Sequence, residues 1–193
     1  MEDKKELVDF LHNFSGLSEE DFGKGSACWY SRTIKKGEFF NMQSFVCSDL
    51  GFIRSGLFRI YYFDEEAREE RNMFFFSEGQ FIVSFASFIY QYPCIYYIEA
   101  LEDAKLYAIK YKDLYHLYDI NNGWANTGRR LAELFFIYAQ LRMEALLFNT
   151  VEQRYLKLQK EQPEIVKRLP LFHVASYLGI TSQSLSRIRK RLG

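Results

Sequence analysis

The sequence predicts an α+β protein with an N-terminal antiparallel β-roll of the jelly-roll type, a long central dimerisation helix and a C-terminal helix-turn-helix. Between residues 29 and 110, short runs rich in Tyr, Phe and Ile are punctuated by glycines, which is typical of antiparallel strands. Residues 124–149 keep a helical period, and two short amphipathic segments follow near the end of the sequence. We therefore expect three parts: the roll over residues 1–120, the long helix over residues 121–149 and the helix-turn-helix domain over residues 150–193.

The composition is that of a packed globular protein. Hydrophobic residues make up 48% of the 193 residues and aromatic residues 18%, which is enough to form a sizeable core. Apolar runs are too often broken to span a bilayer, and the N-terminus lacks the apolar core of a secretory signal. We therefore expect a cytoplasmic protein without membrane contact. Cys28, Cys47 and Cys94 are scattered without a Cys-x-x-Cys pair, so we expect free thiols and no metal site.

The elements of the roll can be assigned in order. Residues 3–14 place apolar side chains at helical spacing, and Ser18 followed by three acidic residues is typical of a second helix start. The clearest hairpin joins residues 56–63 to residues 68–76 across an acidic tip, Asp64-Glu65-Glu66-Ala67. A last strand is expected over residues 104–109.

The long helix over residues 124–149 has apolar residues at alternating steps of three and four, as in a coiled coil. These residues are Leu131, Leu134, Tyr138, Leu141, Ala145 and Phe148. Other faces of the helix are also apolar, so it must be covered on more than one side. We interpret the second apolar face as the contact with a twin helix in a symmetric homodimer. Burial under the C-terminal domain is the alternative.

The C-terminal segment has the pattern of a helix-turn-helix. A helix over residues 151–162 ends before Pro163, and helices over residues 171–178 and 182–191 are separated by a connection that contains glycine. Gly179 tolerates the left-handed backbone of a tight turn. Thr181 or Ser182 then caps the second helix.

The outward face of the last helix suits the major groove of DNA. Gln and Arg side chains make paired hydrogen bonds to base edges, while hydroxyl groups and Lys contact phosphates. Residues 1–164 contain 19 basic against 25 acidic residues, whereas residues 165–193 contain six basic residues and no acid. The alternative is a surface helical hairpin with a solvated basic end. The DNA-binding candidates are Thr181, Ser182, Gln183, Ser186, Arg187, Lys190 and Arg191.

This order of parts resembles the catabolite activator and fumarate-nitrate regulator (Crp/Fnr) family over nearly the whole chain. Residues 151–162 (VEQRYLKLQKEQ) look like the family's Glu-x-Arg-containing helix, and residues 174–192 are very like the form common in Bacteroidetes members. The resemblance implies a dimeric transcription regulator that binds a near-palindromic site in double-stranded DNA. It also makes RNA polymerase and a small-molecule effector candidate partners. Ser182, Gln183 and Arg187 match the family's base-reading positions, although only Arg187 agrees with the usual residue type.

The resemblance also allows a test for cyclic nucleotide binding. In family members that bind the nucleotide, a Gly-Glu pair and an Arg-Ser step hold the ribose and the cyclic phosphate. Val83 and Ser84 stand at the first pair here, and Cys94 and Ile95 at the second. A buried phosphate needs a compensating cation, so we expect no cyclic AMP binding of the known kind. Aromatic residues could instead form an effector pocket or a self-filled core; the pocket candidates are Phe81, Ser84, Phe85 and Tyr96.

Two further expectations concern the function. Most relatives have a β-hairpin wing after the recognition helix, whereas this sequence ends at Gly193, so we expect affinity to depend strongly on Lys190 and Arg191. The sequence has no Gly-rich phosphate loop, nucleophile elbow or metal-spaced cluster, so we do not expect an enzyme. A ligand-binding or protein-interaction module that uses the helix-turn-helix for docking is the alternative to a regulator.

Overall fold

Eight antiparallel strands form the centre of the molecule in the computed structural model, which describes residues 4–192. They make two four-stranded sheets with the orders β1-β8-β3-β6 and β2-β7-β4-β5, and this arrangement confirms the predicted roll. The strands are β1 (Trp29–Ile34), β2 (Phe39–Asn41), β3 (Asp49–Ser55), β4 (Phe58–Asp64), β5 (Glu69–Phe76), β6 (Phe81–Ile82), β7 (Tyr97–Ala100) and β8 (Ala104–Lys110).

Helices flank the roll and make up the C-terminal part. They are α1 (Lys5–Ser15), α2 (Glu19–Gly25), α3 (Phe85–Tyr90), α4 (Tyr111–Ile120), α5 (Asn122–Phe148), α6 (Val151–Glu161), α7 (Pro163–Arg168), α8 (Leu171–Leu178) and α9 (Ser182–Leu192). The start of α2 confirms the prediction at Ser18, whose hydroxyl accepts a hydrogen bond from the Asp21 amide at 3.0 Å.

The predicted hairpin is confirmed with small shifts of its ends. β4 and β5 pair from Phe58 opposite Phe76 to Asp64 opposite Glu69. The Asp64 carboxylate accepts a hydrogen bond from the Ala67 amide at 3.0 Å, which closes the acidic tip. The hydrogen bond that closes the turn therefore lies within the polar tip, and the apolar residues of the two strands can pack in the core.

The interior of the roll is filled by its own aromatic side chains. The centroid of the Phe81 ring lies 5.3 Å from the centroid of the Phe52 ring and 5.4 Å from that of the Phe10 ring. Trp124 is fully buried and donates its Nε1–H to the Asp21 carbonyl at 2.9 Å. This indole anchors the first turn of α5 to the N-terminal helices.

The long helix α5 agrees with its predicted bounds to within two residues. Asn121 caps it by accepting a hydrogen bond from the Trp124 amide. Thr150 and Gln153 form a capping box at the start of α6. Helix α7 was not predicted, because we interpreted Pro163 only as the end of a helix. Pro163 also occupies the first turn of the next helix, where its missing amide costs nothing.

The helix-turn-helix packs directly against the roll. Ser176 of α8 accepts a hydrogen bond from the Asn72 amide at 3.0 Å and donates one to the Glu70 carbonyl at 2.6 Å. Leu57 and Phe75 of the roll are buried in the same cluster as the helices of the C-terminal part. The two parts therefore share one small apolar core: Leu57, Phe75, Tyr155, Leu158, Ile165, Leu169, Val174, Ala175, Leu178 and Leu185.

Candidate functional site

The turn of the helix-turn-helix is formed as the sequence predicts. Gly179 has a left-handed backbone (φ 72°) and ends α8, and its amide donates to the Ser176 carbonyl at 3.1 Å. Thr181 is the cap of α9, because its hydroxyl accepts a hydrogen bond from the Ser184 amide at 3.2 Å. Leu185 is completely buried beneath α9, which fixes the face that the helix turns outward.

The outward face of α9 carries the predicted DNA-binding candidates. Ser182 is half-buried and its carbonyl accepts a hydrogen bond from the Ser186 hydroxyl at 2.9 Å. Arg191 forms an ion pair with Glu152 of α6 at 2.5 Å, so part of its charge is neutralised. The other candidates are exposed, and they leave a continuous polar and basic surface: Thr181, Gln183, Ser186, Arg187 and Lys190.

An acidic strand end lies beside the first turn of α9. Glu69 and Glu70 of β5 line an open groove of about 500 Å³ together with Thr181 and Ser182. A nucleic acid phosphate that approached this turn would meet these carboxylates. Arg59 reduces that repulsion because it forms an ion pair with Glu70 at 2.6 Å.

A buried polar cluster joins the roll to α8. Arg59 is only 5% exposed and also forms an ion pair with Glu99 of β7 at 2.5 Å. Its Nη1 lies 3.4 Å from Nδ1 of His173 and 3.4 Å from Oδ1 of Asn72. Burial, together with the charge of Arg59, lowers the pKa of His173 to about 4, so the imidazole is neutral at pH 7. Sequence reasoning missed this cluster.

The roll matches a family model of known proteins. Residues 31–121 match the model of the cyclic nucleotide-binding domain. This segment is a cyclic nucleotide-binding domain. None of the curated proteins compared with the chain matches it significantly.

Several solved structures share the fold of almost the whole chain. A putative regulator of the Crp/Fnr family from Eubacterium rectale is 17% identical with a TM-score of 0.74, over 95% of this chain and 87% of its own. FixK2 from Bradyrhizobium japonicum is 17% identical with a TM-score of 0.69, over 85% and 84%. The catabolite activator protein of Thermus thermophilus is 20% identical with a TM-score of 0.59, over 95% and 86%. The predicted resemblance to Crp/Fnr regulators is therefore confirmed as a shared fold, whereas the Bacteroidetes branch stays a prediction.

The four residues that we expected in one effector pocket are buried or half-buried in the packing of the roll. Phe81 packs in the aromatic core and Ser84 is buried at the start of α3. Phe85 instead faces α5, where its ring lies 4.9 Å from that of Phe135, and Tyr96 is half-buried beside Cys94. These aromatic side chains pack against other side chains of the protein. Their contacts therefore favour a self-filled core over an open pocket.

The four positions at which we expected the nucleotide contacts hold no charge. Val83, Ser84 and Cys94 are buried, and Ile95 is exposed. The Cys94 thiol accepts a hydrogen bond from the Tyr96 amide at 3.1 Å. Within residues 4–192, no group of three or more His, Cys, Asp or Glu side chains is arranged to hold a metal ion.

The predicted dimer seam on α5 is buried at its first residue and exposed at its last. Leu131 is only 3% exposed because it packs into the core of the cyclic nucleotide-binding domain, and the ring of Tyr138 lies 6.2 Å from that of Phe76. Leu134 and Ala145 are half-buried, whereas Leu141 and Phe148 are exposed. Leu131 is thus buried within the chain and is not available to a partner helix, whereas the other five seam residues stay a prediction.

The solvent-facing side of α5 carries a second apolar stripe. Phe136 is 66% exposed and Leu147 68% exposed, and Met143 lies between them. With Gln140, these residues follow steps of four, three and four, which is the spacing of a coiled-coil seam. In the described part of the chain, no helix is both long and apolar enough to cross a membrane.

Proposed function

We propose that the protein is a dimeric, sequence-specific DNA-binding transcription regulator of the Crp/Fnr type. The observation that carries the proposal is the outward face of α9, where Gln183, Arg187 and Lys190 are exposed together on a helix whose opposite side is fixed by Leu185. Gln and Arg have the paired donors and acceptors that discriminate bases in the major groove. The solved structures with the same fold include regulators of this family.

The stripe Phe136, Gln140, Met143 and Leu147 supports a dimer built on α5. Large apolar side chains this exposed are costly in water, and a second copy of the helix would bury them. Two-fold symmetry brings the same stripe from both subunits together, and Gln140 would fix the register as polar residues do at such positions. Two copies of α9 would then meet successive major grooves on one side of the duplex.

The proposed regulator does not bind cyclic AMP in the manner of the nucleotide-binding family members. The positions that would compensate the phosphate hold Cys94 and Ile95, which supply no cation. Burying a phosphate without a cation is strongly unfavourable. The aromatic packing around Phe81 also occupies the interior of the roll.

Selection from random double-stranded DNA tests the proposal. The full-length protein is incubated with the DNA pool at low salt, and bound sequences are recovered and compared. We expect a near-palindromic site with half-sites about one helical turn apart. The Arg187→Ala variant should lose discrimination at one position in each half-site. Recovery of unrelated sequences would contradict DNA recognition, and recovery of a single, unrepeated half-site would contradict the dimer.

A further inference from the structure

A cavity of about 170 Å³ lies where the roll, the long helix and the helix-turn-helix meet. Strand β5 contributes aromatic side chains to its wall, α5 contributes Tyr138 and Ala145, and α8 contributes Tyr177. The polar part of the wall comes from α5 and α6, and it includes Arg142, Arg154 and Lys157. The cavity therefore combines aromatic surfaces with several cationic side chains.

Arg142 and Arg154 both bind the end of α8. The guanidinium of Arg142 stacks on the ring of Tyr177 at 3.7 Å and donates to the Tyr177 carbonyl at 2.6 Å. Arg154 donates to the carbonyls of Asn149 at 2.8 Å and Leu178 at 3.0 Å. These carbonyls carry only partial negative charge, so they do not neutralise two guanidinium groups.

Neither arginine has a carboxylate partner within residues 4–192. The Nε of Arg154 is buried, and no hydrogen-bond acceptor in that range reaches it. By contrast, Arg59 pairs with Glu70 and Glu99, and Arg168 pairs with Glu78 and Glu102. Both arginines are half-buried, and a partly desolvated cation without a counter-charge is costly.

The charges around the cavity favour an anion. Three cations line it, whereas Glu161 is its one carboxylate among the lining residues and lies 3.8 Å from Lys157. Burial lowers the pKa of Arg142, and the nearby charge of Arg154 lowers it further. A negative group between the two arginines would relieve this repulsion and supply the missing acceptor for Arg154.

We propose that this cavity binds a small organic anion, whose carboxylate or phosphate group pairs with Arg142 and Arg154 and whose planar apolar part lies against Tyr138 and Phe76. Charge-assisted hydrogen bonds of arginine to such groups are among the strongest in proteins. The aromatic wall provides the apolar surface that small-molecule sites use for the remainder of a ligand. This site differs from the nucleotide position inside the roll.

Binding at this site would connect the three parts of the chain. Arg142 belongs to α5 and Arg154 to α6, and both hold the last carbonyls of α8. An anion shared by the two arginines would therefore fix α8 relative to the long helix. The site itself does not depend on the proposed DNA-binding activity, so binding can be tested without DNA.

Calorimetric titration of the full-length protein tests the proposal with four probes: benzoate, phenyl phosphate, inorganic phosphate and uncharged benzyl alcohol. We expect saturable binding of benzoate, phenyl phosphate or both, and at least about tenfold weaker binding of benzyl alcohol. Benzoate binding alone would indicate a carboxylate ligand, and phenyl phosphate binding alone a phosphate ligand. Inorganic phosphate should bind more weakly than phenyl phosphate because it lacks the planar part.

Three variants locate the binding. Arg154→Gln should weaken it by about tenfold or more, because one charge-assisted contact is lost. Ala145→Phe keeps both arginines but fills the cavity, so it should abolish binding. This variant still tests the proposal if Arg154→Gln does not fold. Lys160→Gln, an exposed cation on α6, should bind as the unmodified protein does. The proposal is overturned if neither anion binds saturably, if benzyl alcohol binds equally well, or if folded Ala145→Phe retains the affinity.

Discussion

The side chains of Arg59 and His173 meet at the boundary between the roll and the helix-turn-helix, with Arg59 Nη1 3.4 Å from His173 Nδ1. Arg59 can donate only to an unprotonated Nδ1, so the contact requires a neutral imidazole. The same guanidinium is held by Glu99 and Glu70 from two neighbouring strands. Protonation of His173 would therefore remove one of the contacts that hold α8 against the roll.

Acidification should destabilise the packing of α8 on the roll. The pKa of His173 is lowered from about 6.5 to about 4 by burial and by Arg59, so the unfolded chain takes up a proton before the folded chain does. The stabilisation is complete above pH 6.5 and is lost as the pH falls towards 4. We expect the free energy of unfolding to fall by about 2 to 3 kcal/mol between pH 7 and pH 4.5 through this group. Urea titrations of the native protein and of His173→Gln measure it, and equal pH dependence in both would contradict the assignment.

Arg187 and Lys190 should differ in their effects on DNA binding. Arg187→Ala is expected to reduce discrimination at one base pair by about 1 to 3 kcal/mol, because a paired hydrogen bond to a base edge is lost. Lys190→Ala should weaken binding to all sequences similarly and lower the salt dependence by about one released ion per subunit. Fluorescence titrations with the selected site and single-base variants, at several salt concentrations, separate the two effects. Identical behaviour of the two variants would contradict a base-reading role for Arg187.

Leu147→Glu should convert the proposed dimer to monomers. The substitution places a charge at the C-terminal end of the apolar stripe, where it would be buried against the partner helix. Leu156→Glu changes a comparably apolar, exposed residue on α6 and serves as the control. Analytical ultracentrifugation of both variants gives the mass. If Leu147→Glu keeps the mass of the unmodified protein, the stripe is not the subunit contact.

Gly179→Ala should destabilise the helix-turn-helix through the backbone alone. An added Cβ at Gly179 would meet no atom within 4 Å, but the left-handed φ of 72° is unfavourable for alanine by about 1 to 2 kcal/mol. Gly23→Ala is the matched control, because Gly23 is helical and also has free space around it. That change should instead stabilise the protein by about 0.5 to 1 kcal/mol. Thermal unfolding of both variants should therefore shift in opposite directions.

Local sequence patterns were sufficient to predict most elements of the fold. The acidic tip at Asp64 marked the β4–β5 hairpin, and the uninterrupted helical period marked α5. Helix α7 was missed because a proline ends one helix and begins another with the same local sequence. The sequence period could not show which face of α5 is buried, because apolar residues occur on two faces of this helix. Either face could pack against the roll or face outward.

The candidate sites were predictable to different degrees. The outward face of α9 follows from the spacing of Leu185 and its polar neighbours, which are close in sequence. The Arg59 cluster joins residues from three strands and a distant helix, and no local pattern connects Arg59 with His173. The pocket expected near Phe81 could not be distinguished from a filled core, because both interpretations use the same aromatic residues.

The hydrogen bonds of Ser176 have a consequence for the solubility of the protein. β5 is the outermost strand of its sheet, and Ser176 occupies the outward-facing amide of Asn72 and carbonyl of Glu70. If α8 moved away, these groups would form an open template for strand pairing with another molecule. Prolonged detachment of the helix-turn-helix would thus favour aggregation. The docked helix α8 therefore also protects the edge strand β5 against pairing with another molecule.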